Sequence, residues 1–342
     1  MNGYERIRAV LKGEKPDKVP LMLHCFMPAA AEAGITMEEY RNSAKNMSQA
    51  HLRFARKYDL DGILLDVDTA LAAGAIGAKV DFPVDAPARV IEPAAREARK
   101  LLDLLSPEKL HKDDRIKILL EAVNILKEEV GGEIFIRGNC DQMAFSLAML
   151  CYGMEDFLAD LLDEEQEELI LSLIDRALFV HLEFHRMMVE AGADITSFGD
   201  SSCGPDLISR ELFLKYSLPF HQKLKKGLDI LGIDTICHIC GNLDSIIQDL
   251  AALGYAGLEI DYKTDIKRAA NIMKNKSVAF GPIDPSGMFY FGSPDSIKKE
   301  TLRVLDFFAG RGIVLGAGCA IPGGAPEANI RSFVDTARSY SI

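Results

Sequence analysis

The amino-acid sequence predicts an α/β protein, a single (β/α)8 TIM barrel with an N-terminal helix and an extended excursion after strand 2. Three observations carry that prediction. Eight short apolar runs, each bounded by Gly, Asp or Pro, recur along the chain. Amphipathic helical stretches with start and stop signals lie between most of them. The length of 342 residues accommodates a barrel of about 250 residues with decoration.

The first element is an amphipathic helix over Tyr4 to Gly13. The strand candidates follow as Val19–Cys25, Gly62–Asp68, Glu133–Asn139, Ile195–Asp200, Asp234–Cys240, Gly257–Asp261, Val278–Asp284 and Gly312–Cys319. They read as continuous apolar runs and not as alternating ones, as parallel strands covered on both faces do. Thr36 to Glu39 forms a capping box ahead of a helix expected to run to Tyr58. Ser106-Pro107 places a cap residue before a proline at the first helical position. Ser209, Asn242 and Ser293-Pro294 mark three more starts, and Gly232, Gly254 and Gly310 sit where helices should stop. The stretch from Thr69 to Ser106 is too long for a simple connection. Its Gly74–Gly77 and Phe82–Asp85 pieces read as a loop or hairpin excursion over one end. A doubly wound sheet uses the same alternation with fewer strands, so the count of eight favours the barrel. With no fixed-period repeat, low-complexity segment or linker, residues 1–342 are expected to form one domain.

Hydrophobic residues at 48% and charged residues at 26% exclude disorder, collagen and coiled coil. The net charge of −12 disfavours nucleic acid and anionic membranes as partners. The densest basic run, Lys223 to Lys226, falls in a helical pattern and reads as a solvated face. The opening residues lack the apolar stretch of a secretory signal, and no run of about 18 apolar residues occurs, so a cytoplasmic location is expected. Seven cysteines at positions 25, 140, 151, 203, 237, 240 and 319 argue for free thiols or metal ligands over a disulfide framework.

In a parallel barrel all strands point one way, so their C-terminal ends converge on one rim where loops hold reacting groups. Polar residues collect there: His24 and Cys25, Asp66 and Asp68, Arg137 and Asn139, Asp200, His238 and Cys240, Glu259 and Asp261, Asp284, and Cys319. Carboxylates often begin loops, but turn chemistry does not demand His or Cys. Along a strand His238 and Cys240 must share one side while Cys237 and Ile239 share the other. One imidazole and one thiol then project together. Cys319, at the end of the last strand, is a candidate third ligand, with Cys25 its competitor. Such a donor set suits zinc, and three protein ligands leave a fourth position for substrate. Cys140, Cys151, Cys203 and Cys237 read as small buried hydrophobes. His181 and His185, four apart on a helix without an H-E-x-x-H pattern, read as a satisfied helix-face pair.

Glu5 to Gly13 with Pro16-Asp17-Lys18-Val19-Pro20, Phe198-Gly199-Asp200 through Gly204-Pro205, Ser209, Phe213 and Leu218-Pro219, and above all His238-Ile239-Cys240-Gly241-Asn242 with Gly316 to Cys319 resemble the uroporphyrinogen decarboxylase superfamily. Within it, they resemble the zinc-dependent corrinoid (methylcobamide) methyltransferases. The resemblance implies a zinc ion on His238, Cys240 and Cys319. It also implies a methylcobamide donor carried by a separate corrinoid protein, and a small-molecule thiol acceptor such as coenzyme M. Asp66, Asp68, Asn139 and Asp200 would orient the acceptor or the groups supporting the ligands, and Asp261 falls where that branch can carry a carboxylate near the metal. His24, Asp66 and Gly318 are candidates for cofactor binding. Two alternatives stay open: a metal-free decarboxylase using Asp68, and a methylcorrinoid:tetrahydrofolate methyltransferase. Against the decarboxylase, the loop His24 to Ala31 has no arginine to hold a polycarboxylate substrate. A corrinoid carrier is disfavoured because its D-x-H-x-x-G motif is absent.

Overall fold

The computed structural model describes residues 1–341. Eight parallel strands make one sheet: β1 (Met22–Leu23), β2 (Gly62–Leu65), β3 (Phe135–Gln142), β4 (Ile195–Gly199), β5 (Thr235–His238), β6 (Gly257–Glu259), β7 (Val278–Ile283) and β8 (Ile313–Ala317). Neighbours pair in chain order, and Leu21 beside Leu315 closes the circle. The expected (β/α)8 barrel is therefore formed. Its strands are shorter than the apolar runs, so His24, Asp66, Asp68, Asp200, Cys240, Asp261 and Cys319 sit just past the strand ends.

Side-chain alternation divides the core in two. Met22, Leu64, Phe135, Ile195, Ile236, Val278, Phe280 and Val314 fill the barrel interior. The N-terminal helix Gly3–Leu11 plugs its lower end with Ile7 and Val10. Asp61 ties this end together, since its carboxylate accepts the Leu21 N–H at 2.7 Å and pairs with Arg6 at 2.7 Å and Arg338 at 2.9 Å. The outward-facing residues pack under the helices in the larger core. Among the described residues no helix is long and apolar enough to cross a membrane.

Several helices depart from their sequence signals. Ser43 accepts the Asn46 N–H and starts a new helix, so the stretch from Thr36 splits into Met37–Arg41 and Ala44–Lys57. Phe26–Ala33, expected as loop, is a helix with no side-chain cap, stopped by left-handed Gly34. A short helix, Glu108–Lys112, does start after Ser106-Pro107, but Ser106 makes no capping bond and bonds the Glu108 side chain instead, and the long helix Asp114–Val130 starts from an Asp113 cap. Asn242 makes a local turn with the Asp244 N–H, and the helix begins later, at Ile247. Gly74–Gly77 is no hairpin, because Leu71–Ile76 is helical with Gly77 at its end. The hairpin pairs Lys79–Asp81 with Arg89–Glu92 around the Phe82–Asp85 piece. Phe82 lies under Arg115, which approaches its ring centroid to 4.9 Å, so the excursion is held against the rim.

One residue in the left-handed region ties β3 to the start of that excursion. The register of β3 against β4 shifts between Asn139 and Gln142, and Asp141 there adopts φ +59°. Its buried carboxyl accepts the Ala72 N–H at 2.7 Å. Burial, reinforced by Asp68 and Asp66, raises its pKa from 3.8 to about 8. The folded chain then holds a proton that the unfolded chain releases above its ordinary pKa. Stability from this group is full below about pH 4 and is lost as pH rises toward 8. Asn tolerates the left-handed region and carries no charge. Asp141→Asn should therefore flatten the pH dependence, gaining on wild type by about 1.4 kcal/mol per pH unit in that window. Urea unfolding at pH 5 and pH 7 checks this, and equal gaps at both pH values would refute it.

Candidate metal centre and its cavity

At the C-terminal end of the strands lies a cavity of about 230 Å³. His24, Asp66, Asp68, Asn139, His238, Cys240 and Cys319 all line it. His238 Nε2 stands 3.1 Å from Cys240 Sγ, and Cys240 Sγ stands 4.0 Å from Cys319 Sγ. The three donor atoms lie within 4.8 Å of one another. Zinc–ligand bonds of about 2.3 Å to sulfur and 2.0 Å to nitrogen would separate tetrahedral sulfurs by about 3.8 Å and each from the nitrogen by about 3.6 Å. The two separations of 3.1 and 4.0 Å depart from these values by about 0.5 and 0.2 Å and the third is below 4.8 Å, so small side-chain movements would let the three donors share a zinc ion. His238 and Cys240 meet although β5 ends at His238. Cys319 reaches them through the bend that follows β8 and not through strand alternation.

The surrounding groups aim these ligands. His238 Nδ1 donates to the Glu259 carbonyl at 3.2 Å, which leaves Nε2 facing Cys240. Ser201 Oγ lies 3.4 Å from Cys240 Sγ. Cys240 is lowered from an ordinary thiol pKa to about 3, first by Cys319 and then by His238, against burial. Burial disfavours charge on His238, yet Cys240 and Glu259 outweigh it and raise its pKa to about 10. These shifts favour a thiolate on Cys240 beside a charged imidazole on His238.

A second array faces this one. Asp66 receives His24 Nε2 at 2.7 Å, Asn139 Nδ2 at 2.8 Å and the Val67 N–H at 2.8 Å. Burial opposes ionisation of Asp66, but these donors hold its carboxyl below the ordinary range. Asp68 accepts the Ala70 N–H at 2.9 Å and pairs with Arg115. Burial raises its pKa despite that cation. Beneath them Arg137 pairs with Glu259, both almost wholly buried, with the guanidinium 5.5 Å from the Phe280 ring centroid.

Three expected site residues lie elsewhere. Asp200 does not line the cavity. It shares the outward parity of Thr196 and Phe198, and its carboxylate takes the Ser146 N–H and hydroxyl at 2.9 and 2.6 Å and faces His221 Nε2 at 3.2 Å. Asp261 turns under the next loop and accepts the Gly241 and Lys263 N–H groups at 2.8 and 3.0 Å, which fixes the backbone just after Cys240. Gly318 is a close backbone approach: a Cβ there would lie 2.7 Å from the Ile260 carbonyl. Cys25, the competing ligand, is buried outside the triad, and burial raises its pKa. The same holds for Cys140, Cys151, Cys203 and Cys237. His181 and His185 are a buried pair, 3.0 Å apart, with His185 bonded to Thr196 at 2.7 Å. Arg137 and Glu259 were visible as charges inside apolar strand runs, yet sequence reasoning gave them no role. Arg115 carried no such signal.

The profile of the family described as Uroporphyrinogen decarboxylase (URO-D) matches residues 2–340. The chain belongs to the uroporphyrinogen decarboxylase family. Within the family it is 31% identical over 228 residues to a protein of Methanosarcina acetivorans named methylcobamide:CoM methyltransferase MtbA. That match covers 67% of this chain and 65% of the relative, so the chain spans slightly less than two thirds of that relative's length. It is 25% identical to methylcobamide:CoM methyltransferase MtaA of Methanosarcina barkeri, over 98% of this chain and 97% of the relative. A solved structure titled methyltransferase from Methanosarcina mazei superposes with TM-score 0.86 at 24% identity, covering 98% of each chain, which shows the same fold.

Proposed function

We propose that this member of the uroporphyrinogen decarboxylase family transfers a methyl group from a methylated corrinoid to a thiol, at a zinc ion held by His238, Cys240 and Cys319. The observation that carries the reading is the meeting of one imidazole nitrogen and two sulfurs on the cavity wall, with the imidazole oriented by a backbone carbonyl. A corrinoid donor is supported by the similarity to proteins named methylcobamide:CoM methyltransferases. When bound, zinc supplies a Lewis acid without redox chemistry that favours the ionised form of a thiol.

The chain's own residues do the rest. Phe26, Met27 and Leu64 give the cavity apolar lining that disfavours water. The Asp66–His24–Asn139 array and the Asp68–Arg115 pair fix the opposite wall. In the transfer the carbon–cobalt bond breaks with its electron pair left on cobalt, a carbon–sulfur bond forms, and the thiol proton passes to solvent. The open rim above the cavity is where a corrinoid, presented by a partner protein, would meet it. The test is metal analysis of purified protein together with the Co(I) spectrum on mixing with methylcobalamin and a thiol. One zinc per chain and a thiol-dependent Co(I) signal are expected. Metal-free protein that resists zinc loading and gives no thiol-dependent Co(I) signal would overturn the reading and favour a metal-free decarboxylase, and full activity after chelation would overturn the role of zinc.

A further inference from the structure

Phe198-Gly199-Asp200 and Gly204-Pro205, prominent in the sequence, bring no carboxylate to the cavity. They frame the loop that follows β4, and that loop lies against Cys240. Asp200, fully buried, anchors it. The Asp200 N–H donates to the His238 carbonyl at 2.9 Å, which ties the loop to the chain just ahead of Cys240. Its carboxylate is held by Ser146, whose hydroxyl in turn accepts the Ser202 N–H at 3.0 Å. Between them, the Ser201 N–H donates to Gln142 Oε1 at 3.3 Å. Gly204 rests on the ligand's backbone, since a Cβ there would lie 3.0 Å from the Cys240 carbonyl oxygen. The loop therefore meets Cys240 twice, with Gly204 at its carbonyl and Ser201 at its sulfur.

The contact at the sulfur is chemically specific. Ser201 Oγ stands 3.4 Å from Cys240 Sγ, and among the described residues this hydroxyl has no other hydrogen-bond partner. A metal-bound cysteine is a thiolate with no proton to give, so the hydroxyl is the donor. A hydrogen bond donated to an anion belongs to the stronger class, and it draws charge from the acceptor. Among the described residues no side-chain hydroxyl bonds Cys319, so the two sulfurs are not equivalent.

We infer that Ser201 is a positioning residue of the metal centre. Its hydroxyl donates to the Cys240 thiolate, fixes the direction of that sulfur and withdraws charge from it, which leaves the metal a stronger acceptor for an incoming thiol. Asp200 acts through Ser201 by holding the loop in place. The inference rests on the methyl-transfer reading only for the presence of a metal on Cys240.

The test uses the purified chain loaded with Co(II), whose sulfur-to-metal charge-transfer absorption reports the charge on the thiolates. Ser201→Ala should move that band to longer wavelength, because a sulfur without its hydrogen bond gives up an electron more easily. It should also weaken Co(II) binding about tenfold, the lower end of the range for groups that orient a metal ligand. Ser201 is partly exposed on the cavity wall, so the variant should fold. Ser201→Thr keeps the hydroxyl and should restore both the band and the affinity, which a role in packing alone would not predict. An unshifted band in Ser201→Ala, or a Ser201→Thr spectrum that matches Ser201→Ala and not the wild type, overturns the inference while leaving the metal centre standing. Wild-type protein that takes up no Co(II) would overturn the metal centre itself, and this inference with it.

Discussion

Replacing Cys319 by alanine is expected to cost more than about 100-fold in zinc affinity and to abolish thiol-dependent demethylation of methylcobalamin. Substitution of groups that merely orient a metal ligand typically costs about 10–100-fold in affinity, and Cys319 is proposed as a ligand itself. Among the described residues three side chains bring ligand atoms together at the site, so no further sulfur stands ready to replace the lost one: Cys240 Sγ is its 4.0 Å neighbour, and Cys25 lies outside the donor group. Two controls separate this from a general loss of structure. Cys237→Ala removes a buried thiol on the opposite face of β5, and Cys25→Ala removes the rival ligand named by the sequence. Both variants should keep one zinc per chain. Zinc retained in Cys319→Ala and lost in Cys25→Ala would show that the ligand set is misassigned.

What could be read from the sequence divides along physical lines. The strands were legible because burial on both faces demands unbroken Ile, Val and Leu runs. The His238–Cys240 pair was legible because a two-residue spacing puts both on one face. Helices announced by a side-chain cap were found, as at Thr36, Ser209 and Ser293. Phe26–Ala33 was missed because Cys25 makes no capping bond and the helix starts without a signal. The same alternation that paired His238 with Cys240 would have excluded Asp200, which shares the outward face of Thr196 and Phe198. Proximity to the strand end was given weight over parity. Arg115 could not have been read at all, since its role depends on how the helix Asp114–Val130 folds back over the rim to meet Asp68.

The second large effect is expected at the pair beneath the cavity. Arg137→Met should destabilise the fold by about 3–5 kcal/mol, because it leaves Glu259 buried without its cation. Arg137 and Glu259 are 4% and 3% exposed, so solvent offers little screening to either. Burial raises the Glu259 pKa, and Arg137, with help from His238 and His24, brings it below the ordinary carboxylate range. Glu259→Leu should cost a similar amount by stranding the guanidinium. The double variant Arg137→Met/Glu259→Leu removes both charges and packs apolar side chains against Phe280. It should therefore regain most of the loss and come within about 1 kcal/mol of the wild type in urea unfolding. A double variant as unstable as the sum of its parents would show that the two charges are uncoupled.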